Sequence, residues 1–65
     1  MNATEKQLKC LDYHLWQNDA KWSPEISKKL KELDLGTASD VIGMFKKGED
    51  SAAFNQLRHL GIDVW

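Results

Sequence analysis

The chain has 65 residues, of which 42% are hydrophobic and 29% are charged, and its formal net charge is −1. This length predicts one small domain spanning residues 1–65, with a core that stabilises it by only about 3–5 kcal/mol. The composition argues against a disordered chain, and the slightly acidic balance lacks the basic excess that is typical of domains bound to nucleic-acid phosphates.

The first half of the chain predicts two helices. Thr4–Gln7 has the pattern of a capping box, in which a threonine and a glutamine side chain each bind a backbone N–H of the first turn. The helix that follows is predicted to run to about Gln17. Ser23 followed by Pro24 is typical of the start of a second helix, which we expect to end at Gly36.

The second half predicts two more helices, each closed by a glycine. Thr37–Asp40 is interpreted as the opening of the third helix, and Gly48 as its end. Asp50 or Ser51 is predicted to cap the fourth helix, which ends at Gly61. The inward-facing residues predicted for these helices are Val41, Ile42, Phe45, Ala53, Phe54, Leu57 and Leu60.

These four segments predict an all-α fold: a compact four-helix domain, of a kind that includes helix-turn-helix modules, with an irregular apolar C-terminal tail. The tail contains Ile62, Val64 and Trp65, and we expect it to pack back across the bundle.

Two segments of the second half, Phe45–Ser51 and Leu57–Val64, carry a family resemblance. They resemble the small phage-repressor family, the Cro and lambda-repressor type of helix-turn-helix domain. Phe45–Ser51 is similar to the end of that family's recognition helix and the cap that follows, and Leu57–Val64 is similar to its final helix. The resemblance covers Ser23–Val64. It implies DNA binding through the third helix by a homodimer, since one module contacts only a half-site. The DNA-binding residues that it implies are Lys28, Lys31, Thr37, Ser39, Lys46 and Lys47.

The positions that would face base edges under this hypothesis are Ser39, Asp40, Val41 and Met44. Bidentate readout uses arginine or lysine for guanine and asparagine or glutamine for adenine, and none of these stands there. The resemblance favours a DNA-binding regulator, which we take as the first hypothesis. The readout positions and the charge balance favour a protein-binding regulator or inhibitor of the phage or mobile-element type.

The aromatic residues indicate where a protein partner would bind. Leucines at positions 8, 11 and 15 occupy one side of the first helix, whereas Tyr13 and Trp16 point to another. Either the C-terminal tail covers this second face, or Tyr13, Trp16 and Trp65 are exposed anchors for a partner. Exposed tryptophan and tyrosine are typical of interface hot spots.

No motif predicts catalysis. Cys10 and His14 lie four residues apart on one helical face, but a structural zinc site needs four ligands and the chain has one cysteine and two histidines. We therefore expect a half-buried thiol beside a surface histidine, no metal or other cofactor, and no enzyme activity. No apolar run approaches the roughly 18 residues of a membrane-spanning helix, and the lone cysteine favours a reducing, cytoplasmic compartment.

Overall fold

The computed structural model describes residues 1–64, and within them the chain forms four helices and no extended strand. The helices are α1 (Glu5–Gln17), α2 (Pro24–Lys31), α3 (Leu35–Lys46) and α4 (Asp50–His59). Helix α3 packs against both α4 and α1, and α1 also packs against α2. The all-α prediction is confirmed.

Two helix starts follow the sequence prediction. The Thr4 side chain accepts from the backbone N–H of Gln7 at 3.1 Å, and the Gln7 side chain accepts from the backbone N–H of Thr4 at 2.9 Å. The Ser23 hydroxyl accepts from the backbone N–H of Ile26 at 3.2 Å, with Pro24 at the first position of α2. Both caps satisfy backbone donors that have no partner inside the helix.

The predicted boundary between α2 and α3 is wrong. Helix α2 ends at Lys31, and α3 starts at Leu35 with Asp34 as its N-cap, so Gly36 lies inside α3 and is not a helix stop. An Asp34 carboxylate oxygen accepts from the Gly36 N–H at 3.1 Å. The N-terminal segment fixes this bend, because the Ala3 N–H donates to the carbonyl of Leu33 at 2.7 Å. Because this contact joins residues that are distant in sequence, local sequence patterns do not predict it.

The start of α4 also differs from the prediction. Glu49 is the N-cap and its side chain makes no capping hydrogen bond, whereas Asp50 is already the first helical residue. The two glycine stops are confirmed: Gly48 and Gly61 have φ values of 78° and 84°. Each lies in a left-handed turn that glycine adopts without steric penalty.

The core is a cluster of buried side chains from all four helices and from the C-terminal tail. Ile62 and Val64 are both buried in it, and the Lys21 N–H donates to the Val64 carbonyl at 2.7 Å, so the prediction that the tail packs across the bundle is confirmed for these two residues. The buried members are Leu11, Leu15, Leu30, Leu33, Ala38, Val41, Ile42, Phe45, Ala53, Phe54, Leu57, Ile62 and Val64. Leu60 was predicted to face inward, but it is exposed and this prediction is wrong.

Gly43 provides a test of helix propensity in α3. A Cβ placed on Gly43 meets no atom within 4 Å, so no close packing requires a glycine there. We expect Gly43→Ala to raise the free energy of unfolding by about 1 kcal/mol and Tm by about 4–8 °C, measured by thermal denaturation. Gly36→Ala is the control, because its Cβ would lie 3.3 Å from the capping oxygen of Asp34. An equal gain in the free energy of unfolding in both variants would contradict the explanation that open space at Gly43 permits the stabilisation.

Candidate functional site

The C-terminal half of α1 presents aromatic rings to solvent. Leu11 and Leu15 are fully buried, whereas Tyr13 is 53% exposed and Trp16 is 74% exposed. Successive helical residues are rotated by about 100°, so Trp16 lies well away from the core-facing side of Leu15. The Tyr13 and Trp16 ring centroids are 6.2 Å apart. Of the two sequence alternatives, the structure shows that these two rings are exposed and that residues 62–64 of the tail do not bury them.

A left-handed turn at the end of α1 sets the path of the following loop. The Asp19 N–H donates to the carbonyl of Trp16 at 3.1 Å, and the Ala20 N–H donates to the carbonyl of Leu15 at 3.0 Å. These two bonds form a Schellman motif, with Asp19 at the position that usually holds glycine. Its φ of 54° is the one positive value at a non-glycine residue among residues 1–64.

The loop then places a second tryptophan beside α1. The Trp22 indole N–H donates to a carboxylate oxygen of Asp12 at 3.3 Å, and Trp22 remains 55% exposed. Trp16 and Trp22 line the same groove, whose volume is about 490 Å³. The other lining residues are Asp12, Asp19 and Ala20. We call this groove, together with Tyr13, the aromatic surface.

The charge at the aromatic surface is negative. Asp12 accepts a hydrogen bond from the Trp22 indole, but within residues 1–64 it forms no ion pair. The Asp19 carboxylate makes neither a hydrogen bond nor an ion pair in the same part of the chain. Two acidic groups therefore face the groove, and no cation of the described chain neutralises either of them.

The predicted DNA-binding residues of α3 line two different grooves. Ser39 and Lys46 line a groove between α3 and α1 that also includes Lys6. Thr37 lines a different groove, together with Glu32 and Asp34 near the end of α2. Ser39 therefore shares its groove with two lysines, whereas Thr37 shares its groove with two carboxylates and one lysine, Lys29.

The lysines are also separated along the fold. Lys28 and Lys31 are exposed on α2, which precedes the start of α3, whereas Lys46 and Lys47 are exposed at its end. Twelve helical residues span about 18 Å, so Lys46 and Lys47 lie about that distance from the start of α3, and the two pairs of lysines belong to different helices.

Two of the predicted readout positions are not available on the surface of α3. Val41 is fully buried in the core and Met44 is half-buried against it, whereas Ser39 and Asp40 are exposed. The exposed side of α3 therefore offers a short hydroxyl and a carboxylate where base readout would need a long donor side chain.

The Cys10 and His14 pair has a structural explanation. Cys10 is half-buried against the core, as expected for a small apolar side chain. The His14 ring stacks on Phe45 with centroids 4.8 Å apart, so it is a half-buried packing residue and the expectation of a surface histidine is wrong. Within residues 1–64 no three His, Cys, Asp or Glu side chains form a group that could hold a metal ion.

Comparison with known proteins yields no match: neither a family model, nor a curated protein, nor a solved structure is significantly similar to this chain. In the part of the chain that the structure describes, none of the helices combines the length and the apolar character needed to cross a membrane.

The sequence analysis named Tyr13 and Trp16 but missed four further residues of the aromatic surface, which are Asp12, Asp19, Ala20 and Trp22. Asp12 lies four residues before Trp16, a spacing that places both on one side of α1. Asp19 lies beyond the end of α1 in the left-handed turn, so helical spacing gives no signal for it. Trp22 gave no such signal, because only the turn at Asp19 brings it back to the helix. Trp65, the third predicted partner-binding residue, lies outside the described residues.

Proposed function

We propose that this protein is a small protein-binding regulator that contacts its partner through the aromatic surface. The observation that carries the proposal is the high exposure of two neighbouring tryptophans, Trp16 and Trp22, on a domain with little core to spare. A large indole left in water forgoes the stabilisation that its burial would give. Clustered exposed aromatic side chains are typical of interaction sites.

The geometry suits a hot spot. The side chains of tryptophan and tyrosine provide large contact areas and lose little rotamer freedom on binding. The Trp22 ring is tied to α1 by its hydrogen bond to Asp12, and Tyr13 lies against Trp16. A partner would therefore meet a largely preformed surface, which lowers the entropy lost on association.

The test is the effect of Trp16→Ala on partner retention. Immobilised wild-type protein is exposed to a lysate of the cells that produce it, and retained proteins are quantified by mass spectrometry. We expect Trp16→Ala to reduce retention of the specific partner by about tenfold or more, as for hot-spot tryptophans. The fold is expected to remain intact, because removal of an exposed ring leaves no cavity.

The matched control is Leu60→Ala, which removes a well-exposed large apolar side chain outside the aromatic surface, at the C-cap of α4. This variant is expected to retain the partner as the wild type does. Equal retention by all three proteins would reject the aromatic surface as the interface. Loss of the helical circular dichroism signal in Trp16→Ala would show that the ring supports the fold instead.

DNA binding is the second candidate, and a specific observation favours it. Lys6 of α1 and Lys46 of α3 line one groove together with Ser39, and these are side chains that bind phosphate groups. In this alternative, the protein is a helix-turn-helix regulator that docks α3 on DNA as a homodimer, with Lys46 and Lys47 on the backbone.

The DNA alternative predicts a strong effect of charge reversal at the end of α3. Lys46→Glu with Lys47→Glu is expected to abolish duplex binding, and affinity of the wild type is expected to fall steeply with salt because bound lysines displace counterions. Fluorescence anisotropy of a labelled mixed-sequence duplex at several salt concentrations measures both. Lys9→Glu with Lys21→Glu controls for total charge. Equal losses of duplex affinity in the two double variants would contradict docking through α3.

A further inference from the structure

The groove between Trp16 and Trp22 combines two features that together define a ligand. Its walls include two indole rings, whose π faces attract cations. Its lining also includes two carboxylates, Asp12 and Asp19, with no cationic partner among residues 1–64. A neutral apolar ligand would leave both charges without a counterion, so the groove is complementary to a cationic group.

We propose that this groove binds an arginine side chain presented by a basic segment of the partner protein. The planar guanidinium stacks on aromatic faces and donates hydrogen bonds in a fork that fits carboxylates. Trp16 supplies the exposed face, and Asp19, whose acceptor positions are free within the described chain, supplies the carboxylate. This inference rests on the proposed protein-binding function and specifies what the partner must present.

The left-handed backbone conformation of Asp19 supports a ligand-binding role for its side chain. The chain ends α3 and α4 with the same two-bond motif, and there the left-handed residues are Gly48 and Gly61. At the end of α1 that position holds an aspartate, although a left-handed conformation costs a non-glycine residue about 1 kcal/mol. The carboxylate forms no hydrogen bond or ion pair within residues 1–64 that would offset this cost, and a bound cation would supply one.

The other grooves do not match this ligand. The groove beside Lys6 and Lys46 is basic and would repel a cation. The groove at the end of α2 has two carboxylates, Glu32 and Asp34, but no aromatic side chain, and the Lys29 ammonium already donates to the carbonyl of Gly61 at its edge. Within the described chain, only the aromatic surface places tryptophans beside carboxylates that have no cationic partner.

The test uses a short probe peptide, acetyl-Gly-Arg-Gly-amide, added to the isotope-labelled protein and followed by NMR. The same peptide with citrulline in place of arginine has nearly the same shape, but it is uncharged and carries a carbonyl acceptor where the guanidinium has an NH2 donor. We expect the arginine peptide to shift the indole N–H signals of Trp16 and Trp22, with an affinity about tenfold above that of the citrulline peptide. Equal shifts with the two peptides would overturn the proposal.

Two protein variants test whether the carboxylates of the groove bind the guanidinium. Asp12→Asn removes one charge but keeps an oxygen that can accept from the Trp22 indole, and Asp19→Gly removes the other charge while relaxing the left-handed backbone. Both variants should fold. Each should lower the affinity for the arginine peptide by about fivefold or more, which is the size expected for loss of a charge-assisted hydrogen bond. Asp40→Asn, which changes an exposed carboxylate on α3, should leave the affinity unchanged.

The outcomes separate this inference from the function on which it rests. Suppose that Trp16→Ala loses the partner but the wild type does not bind the arginine peptide. The protein interface then stands and the arginine assignment is wrong. The same conclusion follows if Asp12→Asn and Asp19→Gly bind the arginine peptide with the affinity of the wild type. If Trp16→Ala retains the partner, the interface itself is wrong. A loss of affinity for the arginine peptide in Asp40→Asn would also overturn the assignment, because it would show that the peptide is attracted by the overall negative charge of the protein.

Discussion

Leu57→Ala is expected to remove most of the stability of the protein at 25 °C. Leu57 is 0% exposed within the core. Removal of such a side chain costs about 2–5 kcal/mol through lost burial and the cavity left behind. A domain of this length has a total stability of only about 3–5 kcal/mol, so the variant should lose its cooperative transition or show it at a much lower denaturant concentration. Urea denaturation followed by circular dichroism measures this.

Leu60→Ala is the matched control, because it makes the same substitution three residues later at the end of the same helix. Leu60 is 42% exposed, so the free energy of unfolding should change by no more than about 0.5 kcal/mol. The contrast tests the correction to the sequence-based core, which assigned both leucines to the interior. Similar losses in the two variants would contradict the burial that the structure shows.

Val64→Asp is expected to abolish folding. Val64 is buried in the core cluster, and its carbonyl accepts from the Lys21 N–H at 2.7 Å. An unpaired carboxylate at this position would be removed from water at a cost of several kcal/mol, which exceeds the roughly 3–5 kcal/mol available. The expected result is a disordered chain by circular dichroism and by the dispersion of amide NMR signals.

Ala52→Asp controls for the added negative charge. Ala52 is exposed in the first turn of α4, where a carboxylate is favoured by the partial positive charge of the helix N-terminus. This variant should be as stable as the wild type or slightly more so. If Val64→Asp instead unfolded at the wild-type urea concentration, the tail would not be part of the core.

The tail also connects stability to function. Lys21, which binds Val64, immediately precedes Trp22 in the loop that forms one wall of the groove. Substitutions that release Val64 are therefore expected to disturb the aromatic surface as well as the core. For this reason the binding experiments rely on variants at exposed positions, where loss of binding and loss of folding are distinguishable.

Much of the fold could be predicted because its signals are local. The caps at Thr4 and Ser23 and the glycine turns at 48 and 61 each depend on atoms within about one turn of helix, so the residues that determine them are close together in sequence. The apolar periodicity identified most of the core for the same reason. Leu60 was misassigned because it follows the period of α4 at the point where Gly61 turns the chain away.

The bend between α2 and α3 could not be predicted in this way. Asp34 and Gly36 each allow either a helix end or a helix start, and local sequence gives both interpretations similar support. The choice is made by a contact more than thirty residues away in sequence: the Leu35 N–H donates to the carbonyl of Met1 at 2.8 Å, beside the bond from Ala3 to Leu33. Such contacts exist only once the chain has folded.

The sequence by itself determined the four helices, the caps of α1 and α2, and the unusual number of aromatic residues, because these follow from residue type and short-range spacing. Only the tertiary structure decided which aromatic rings stay in water and what surrounds them. Trp16 and Trp22 share a groove because the turn at Asp19 reverses the chain and the backbone pairing with Val64 holds the loop against α1. That arrangement depends on contacts between distant segments, which no periodicity encodes.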